Sequence, residues 1–152
     1  MKTIVLVVTM LAAFAGTARA DDMNYLVGPV LGLRLGGPPG ERGIIGIEGG
    51  VGYGPERINL GFTRRLDKTF GYVEIDPWYI AGFSFGAGVD SDGVAHGVIG
   101  VWEGLPLRYP SCGEDGWESV ITIAGGYRYT GVHELYLTVK AGETYDGAFC
   151  LD

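Results

Sequence analysis

The sequence predicts an all-β protein, a single up-and-down antiparallel β-barrel of about eight strands. Three observations carry the prediction. Apolar residues recur at every second position over long runs: Leu31, Leu33 and Leu35 alternate with Gly32, Arg34 and Gly36, and Leu135, Leu137 and Val139 alternate with Glu134, Tyr136, Thr138 and Lys140. That is the period of strands with one apolar and one polar face. Clusters of Gly, Pro and Asp punctuate these runs, because those residues suit the backbone angles of tight turns. No segment sustains the 3.6-residue period of an amphipathic helix.

Residues 1–20 read as a signal peptide rather than as part of the fold. Lys2 supplies a positive charge, Ile4 to Ala15 an apolar stretch of about twelve residues, and Ala18-Arg19-Ala20 a small-residue cleavage site. A membrane-spanning helix needs roughly 20 residues, so the stretch is too short to remain in a bilayer as one. Its brevity and the Ala-x-Ala ending look bacterial, and no cysteine follows to take a lipid anchor. Residues 21–152 are then the mature domain, a size that suits one core. Losing Lys2 and Arg19 leaves 9 basic against 18 acidic residues and moves the net charge from −7 to −9. Such an acidic chain, with no extended basic run, argues against nucleic acid and against anionic headgroups as partners.

Cys112 and Cys150 are the two cysteines. Export places them in an oxidising compartment, where a disulfide is the expected state. Closing residues 112–150 into one loop would stabilise the fold by at most about 4 kcal/mol. Neither cysteine lies in a C-x-x-C or beside a histidine, so a metal site is not expected.

The strands fall near 25–36, 43–53, 57–65, 70–76, 79–89, 94–103, 117–129 and 133–141. Gly37 to Arg42, Gly54-Pro55-Glu56, Leu66 to Thr69, Asp76-Pro77-Trp78, Asp90 to Gly93, Gly104 to Gly116 and Thr130 to Val132 connect them. If Asp76-Pro77-Trp78 is not a turn, residues 70–89 form one strand and the count falls to seven. Register follows from keeping like faces together. A three-residue turn at Thr130 to Val132 pairs Tyr127 with Leu135, Gly125 with Leu137 and Ile123 with Val139. It also sets Arg128 opposite Glu134, an oppositely charged cross-strand pair. A two-residue Gly54-Pro55 turn sets Val51 against Ile58 and Ile47 against Phe62.

One continuous apolar face results. The other face collects Gly28, Gly32, Gly36, Gly46, Gly50, Gly52, Gly61, Gly82, Gly86 and Gly88, together with Asn59, Tyr136 and charges of both signs. Alternation alone leaves open which face is the interior. A soluble barrel turns its apolar face inward around a core or ligand, whereas a membrane barrel turns it to lipid and keeps a polar lumen. Glycine on a water-facing strand weakens the strand with no packing return. Inside a narrow barrel it leaves room for large polar side chains. Buried charges need partners, and this face offers Arg34, Arg57, Arg128 and Lys140 against Glu48, Glu74, Glu118 and Glu134. A balanced set of this kind reads as a lumen charge network.

On these residues the chain resembles the small eight-stranded outer-membrane barrels of Gram-negative bacteria, of the outer membrane protein A barrel-domain type. The resemblance is architectural, covers most of residues 21–152 and rests on no signature motif. It implies an outer-membrane location, the lipid bilayer as partner, and a structural or surface-interaction role. With an even strand number, the Gly104 to Gly116 connection lies at the same end as both termini. Cys112 and Cys150 would meet there.

Other constellations have plainer readings. His96 and His133 show no ligand spacing. Asp90-Ser91-Asp92-Gly93 lacks the further ligands of a calcium loop and reads as a hairpin turn. Gly50-Val51-Gly52-Tyr53-Gly54 lacks the helix that a nucleotide-binding loop requires. Glu48, Glu74 and Glu134 would suit a glycosidase pair, but charge pairing explains them better. No serine sits in a nucleophile elbow. Trp78, Trp102 and Trp117, with Tyr53, Tyr79 and Tyr129, lie at strand ends, where a membrane barrel places its aromatic girdles.

The expectation is a non-enzymatic outer-membrane barrel with a salt-bridged lumen and no cofactor. The alternatives are a soluble exported barrel binding a small apolar ligand inside it, and an exported hydrolase using the acidic face.

Overall fold

The computed structural model describes residues 23–36, 42–53, 56–65, 68–76, 81–108 and 117–145. The expected signal peptide and both cysteines of the expected Cys112–Cys150 disulfide lie outside the described residues. Eight strands follow one another: β1 (Met23–Arg34), β2 (Gly43–Tyr53), β3 (Glu56–Arg65), β4 (Thr69–Asp76), β5 (Ala81–Asp90), β6 (Ala95–Arg108), β7 (Trp117–Tyr129) and β8 (His133–Tyr145). Each pairs antiparallel with its sequence neighbours, and β8 closes on β1. The fold is therefore a closed up-and-down β-barrel. Asp76 ends β4 and Ala81 opens β5, so the seven-strand alternative does not apply.

Both registers deduced from the sequence are present. Tyr127 pairs with Leu135, Ile123 with Val139 and Arg128 with Glu134; Val51 pairs with Ile58 and Ile47 with Phe62. Two strands run further than their sequence suggests. β6 continues past Gly104 to Arg108, because Leu105 and Leu107 sustain the alternation, with a bulge between Pro106 and Arg108. A bulge is where a strand tolerates proline. β8 continues to Tyr145 because Ala141 to Tyr145 still pairs with β7. Gly36, expected on the polar face of a strand, is instead an exposed bend with φ 96°. Glycine reaches such angles without a Cβ penalty, so the alternation stops there.

The pairing also fixes the barrel's dimensions. Following partners from Tyr25 through Val51, Ile58, Ile75, Phe85, Ile99, Tyr129 and His133 returns to Leu35, ten residues along β1. For eight strands spaced about 4.8 Å apart, a stagger of that size tilts the strands by about 40° and gives a radius of about 8 Å. The lumen of so narrow a barrel is filled by side chains. The end where β1 begins and β8 finishes is called the terminal end below. The turns after β1, β3, β5 and β7 lie at the distal end.

Glycine on the inner face makes that filling possible. Gly61 faces Tyr72 across the β3–β4 pair, and a Cβ at Gly61 would come within 2.0 Å of Tyr72 Cζ. The tyrosine ring lies directly over the glycine. Gly61→Ala is expected to destabilise the barrel by about 1–3 kcal/mol through overpacking. In a Tyr72→Ala background the same change should be nearly neutral, since the clash is gone. Urea midpoints for the four proteins of that cycle check this.

Candidate functional site

Two surfaces carry the chemistry, and they are the reverse of those in a water-soluble protein. Ile45 is 60% exposed, Leu60 58% and Ile99 63%, whereas Arg128 and Glu134 are 0% and Glu48 2% exposed. Most large apolar side chains of the strands point out, and the charges of the central cluster point in. Leu33, Ile47 and Leu137, which an apolar interior cavity would need inside, all face outward.

Among the described residues, the lumen buries the cations Arg57, Arg65, Arg128 and Lys140 and, facing them, the carboxylates Glu48, Glu74, Asp76 and Glu134, with Asp90 buried at the distal mouth. Arg128, from β7, is the hub. Its Nη1 lies 3.4 Å from Glu48 Oε2 and 3.7 Å from Glu74 Oε1, and its Nε lies 3.6 Å from Glu134 Oε2. The guanidinium is sandwiched between the Tyr72 ring at 4.2 Å and the Tyr136 ring at 4.8 Å, a geometry in which the ring faces attract the cation.

From this hub the polar contacts run both ways along the barrel. Towards the terminal end, Lys140 Nζ pairs with Glu48 Oε1 and donates to Asn59 Oδ1 at 3.4 Å. Asn59 Nδ2 donates to Asp76 Oδ2 at 2.5 Å, and the Tyr72 hydroxyl donates to Glu48 Oε2 at 2.5 Å. Towards the distal end, Arg65 Nη2 pairs with Glu134 Oε1 and donates to Thr130 Oγ1. Thr130 Oγ1 donates to the same carboxylate at 2.9 Å. The Phe70 ring stacks on Tyr72 at 5.7 Å and underlies the Arg65 guanidinium at 5.0 Å.

Of the residues expected in the lumen network, Glu48, Glu74, Arg128, Glu134 and Lys140 meet in this cluster. Arg57 is buried at the terminal side, opposite Asp76 in register. Arg34 and Glu118 are half-buried near opposite mouths, at the end of β1 and the start of β7, and are not part of the central cluster. Arg65, Asp76 and Tyr72 belong to the network and were not singled out from the sequence. Parity along the strand marks all three: Arg65 lies in step with Arg57, Asn59, Gly61 and Thr63, and Tyr72 and Asp76 with Glu74.

The distal mouth is capped by a second polar group. The Asp90 carboxylate accepts hydrogen bonds from the backbone N–H groups of Asp92 and Val94 at 3.0 and 2.9 Å, as a residue preceding a tight turn does. Lys68 Nζ lies 3.3 Å from Asp90 and 2.6 Å from Asp92. The hydrogen bond to Asp92, and then that to Asp90, hold the Lys68 ammonium above the usual lysine range. His96 Nε2 lies 3.2 Å from the Asp90 carboxylate, and its ring packs edge-on to Phe70. It also lies against Gly131 of the last turn, whose φ of 82° and absent Cβ make room for it. The Asp90 to Gly93 segment is thus a hairpin turn. Among the described residues, no three His, Cys, Asp or Glu side chains are placed to hold a metal ion.

On the outside, aromatic clusters flank the apolar band. At the terminal end Trp117 packs on Tyr25 at 5.7 Å and on Tyr145 at 5.5 Å, and the Tyr25 hydroxyl donates to Glu143 at 2.5 Å. Towards the distal end His133 packs on Tyr129 at 5.1 Å and shares a 2.5 Å hydrogen bond with Tyr127. His133 to Glu143 is ten residues of β8. At about 3.3 Å per residue and a tilt of about 40°, they span about 25 Å, the height of the apolar band in membrane barrels.

Trp117 and Tyr129 therefore lie where a girdle was expected. Trp102 does not: it is 8% exposed and lies inside the lumen, against Gly104 and Gly126. Its parity with Gly100 and Gly104 turns it inward, and those glycines leave space for the indole. Trp78, Tyr79 and the Tyr53 side chain lie outside the described residues.

The sequence matches no protein-family model, and no curated protein matches it. Among solved structures, a chain reported under "De novo design of transmembrane beta-barrels" superposes with a TM-score of 0.54 at 13% identity, over 79% of this chain and 94% of that one. At that identity the likeness is one of fold. This barrel resembles a transmembrane β-barrel.

Proposed function

We propose that the protein is a bacterial outer-membrane barrel of the small eight-stranded type, non-enzymatic, with a lumen closed by ion pairs and a structural or surface-interaction role. The observation that carries the reading is the inversion of polarity. A band of Leu, Ile, Val and Phe about 25 Å tall faces outward between aromatic clusters, over a lumen of paired Arg, Lys, Glu and Asp. In water such a band would be an exposed apolar patch far above what soluble monomers carry. In a bilayer it is matched to the acyl chains. The closed barrel leaves no unpaired sheet edge, the other requirement for crossing hydrocarbon.

The lumen supports a plug rather than a catalytic centre. Glu48, Glu74 and Glu134 each face a cation within 4 Å, so the carboxylates that a hydrolase would use are held in structural pairs. Fractionation tests the proposal. The mature protein is expected in the outer-membrane fraction, resistant to carbonate and urea washes. It should also migrate differently on gels before and after boiling. A compact monomer in the soluble fraction without detergent would contradict it.

A further inference from the structure

We infer that the distal rim formed by β1 to β3 binds the phosphate groups of anionic lipids in the leaflet at that end of the barrel. This rests on the membrane reading above. It runs against the expectation from composition, where a strongly acidic chain argues against anionic headgroups. The fold sorts by sign what net charge averages.

On the outer surfaces of the described strands the charges separate by end. Arg64 stands near the distal end of β3, facing outward between the buried residues Thr63 and Arg65. The outward carboxylates Glu56, Glu103 and Glu143 stand in the terminal half of their strands, Glu56 as the first residue of β3, Glu103 opposite the first residue of β5, and Glu143 two residues from the end of β8. Arg42 joins Arg64 at the distal rim. The backbone N–H of Arg34 donates to the carbonyl of Arg42 at 2.7 Å, which ties the end of β1 to the start of β2. Arg42 is exposed. Ile45, three residues further on, pairs with Arg64. Arg42 and Arg64 thus occupy one arc of the rim, directly above the apolar surface of Leu33, Ile45 and Phe62, while Arg34, in step with Gly32 and opposite Glu134, lies on the lumen side. The nearby carboxylates Asp90 and Asp92 are engaged by Lys68.

A guanidinium fork matches a phosphate bidentately. Above a lipid-facing band, the phosphate at the matching depth is that of the adjoining headgroup. Each basic side chain close to an anionic membrane surface favours the anionic species by about fivefold.

The test is lipid selectivity at the barrel surface. The folded protein is placed in phosphatidylcholine bilayers, and the motionally restricted signal of spin-labelled phosphatidic acid is compared with that of spin-labelled phosphatidylcholine. A selectivity above one for phosphatidic acid is expected. It should fall to one in the Arg42→Gln/Arg64→Gln variant, fall partway in Arg64→Gln alone, and persist in Glu103→Gln/Glu143→Gln. Equal association of the two lipids with the unaltered protein, or undiminished selectivity in the double arginine variant, would overturn the inference. Displacement by excess inorganic phosphate would also overturn it, by marking a site for the free anion. A restricted signal from neither lipid would mean the chain is not in the bilayer, and the membrane reading would fall with it.

Discussion

Replacing Arg128 by Met is expected to destabilise the barrel by about 3–5 kcal/mol, the range found when one partner of a buried ion pair is removed. The effect is large because three carboxylates depend on the same guanidinium. Glu48 retains Lys140 and the Tyr72 hydroxyl, and Glu134 retains Arg65 and Thr130. Glu74 pairs with Arg128 in the lumen and feels Lys140 more weakly, so it is the carboxylate that loses most. Methionine fills much of the space between Tyr72 and Tyr136 without supplying charge, so the loss is electrostatic rather than steric. Adding Glu74→Gln to Arg128→Met should then recover part of the stability. Urea unfolding of protein folded into lipid vesicles measures both variants. A loss under about 1 kcal/mol for Arg128→Met would mean the lumen is hydrated enough to screen its charges.

Placing arginine on the outer face at mid-height should be comparably damaging. Leu137→Arg is expected to destabilise the membrane-inserted barrel by about 2–4 kcal/mol, and Leu35→Arg, at the distal rim, by about 0–1 kcal/mol. Both leucines are about half exposed, so in water the two substitutions would be close to neutral and alike. The difference between the positions therefore reports depth in hydrocarbon. Unfolding from vesicles, with the same variants in detergent as control, reads it directly.

Much of this structure is legible in the sequence, and the legible part is what local rules determine. The β7–β8 register follows from Arg128, Glu134 and the three-residue turn between them, and the β2–β3 register from Gly54-Pro55 with matched apolar partners. The polar face, with Glu48, Glu74, Arg128, Glu134 and Lys140, follows from parity alone. What parity cannot supply is distance across the lumen. Lys140 reaches Glu48, and Arg65 reaches Glu134, between strands that are not sequence neighbours. Which charges meet depends on closure and on the ten-residue stagger of the whole barrel.

The omissions have similar causes. Arg65 ends its strand beside Arg64 and reads as one of a solvated pair, although the two face opposite sides. Asp76 reads as a turn residue because Pro77 follows it. Trp102 sits near a strand end by count but inside by parity, where Gly104 and Gly126 accommodate it. The arginine rim is hidden for the opposite reason. Arg42 stands just before β2 and Arg64 near the end of β3, and only the sheet brings them together.

The orientation of the sheet can be measured along one strand. With Cys112 and Cys150 replaced by Ser, single cysteines from residue 134 to 140 of β8 carry a nitroxide label, and each is tested for collision with oxygen and with a water-soluble nickel complex in vesicles. Oxygen, which concentrates in hydrocarbon, should collide most at Leu135, Leu137 and Val139, where the nickel complex is excluded. Positions 134, 136, 138 and 140 should be shielded from oxygen. Nickel accessibility that peaks at Leu135, Leu137 and Val139, or no period of two at all, would contradict a lipid-facing apolar surface.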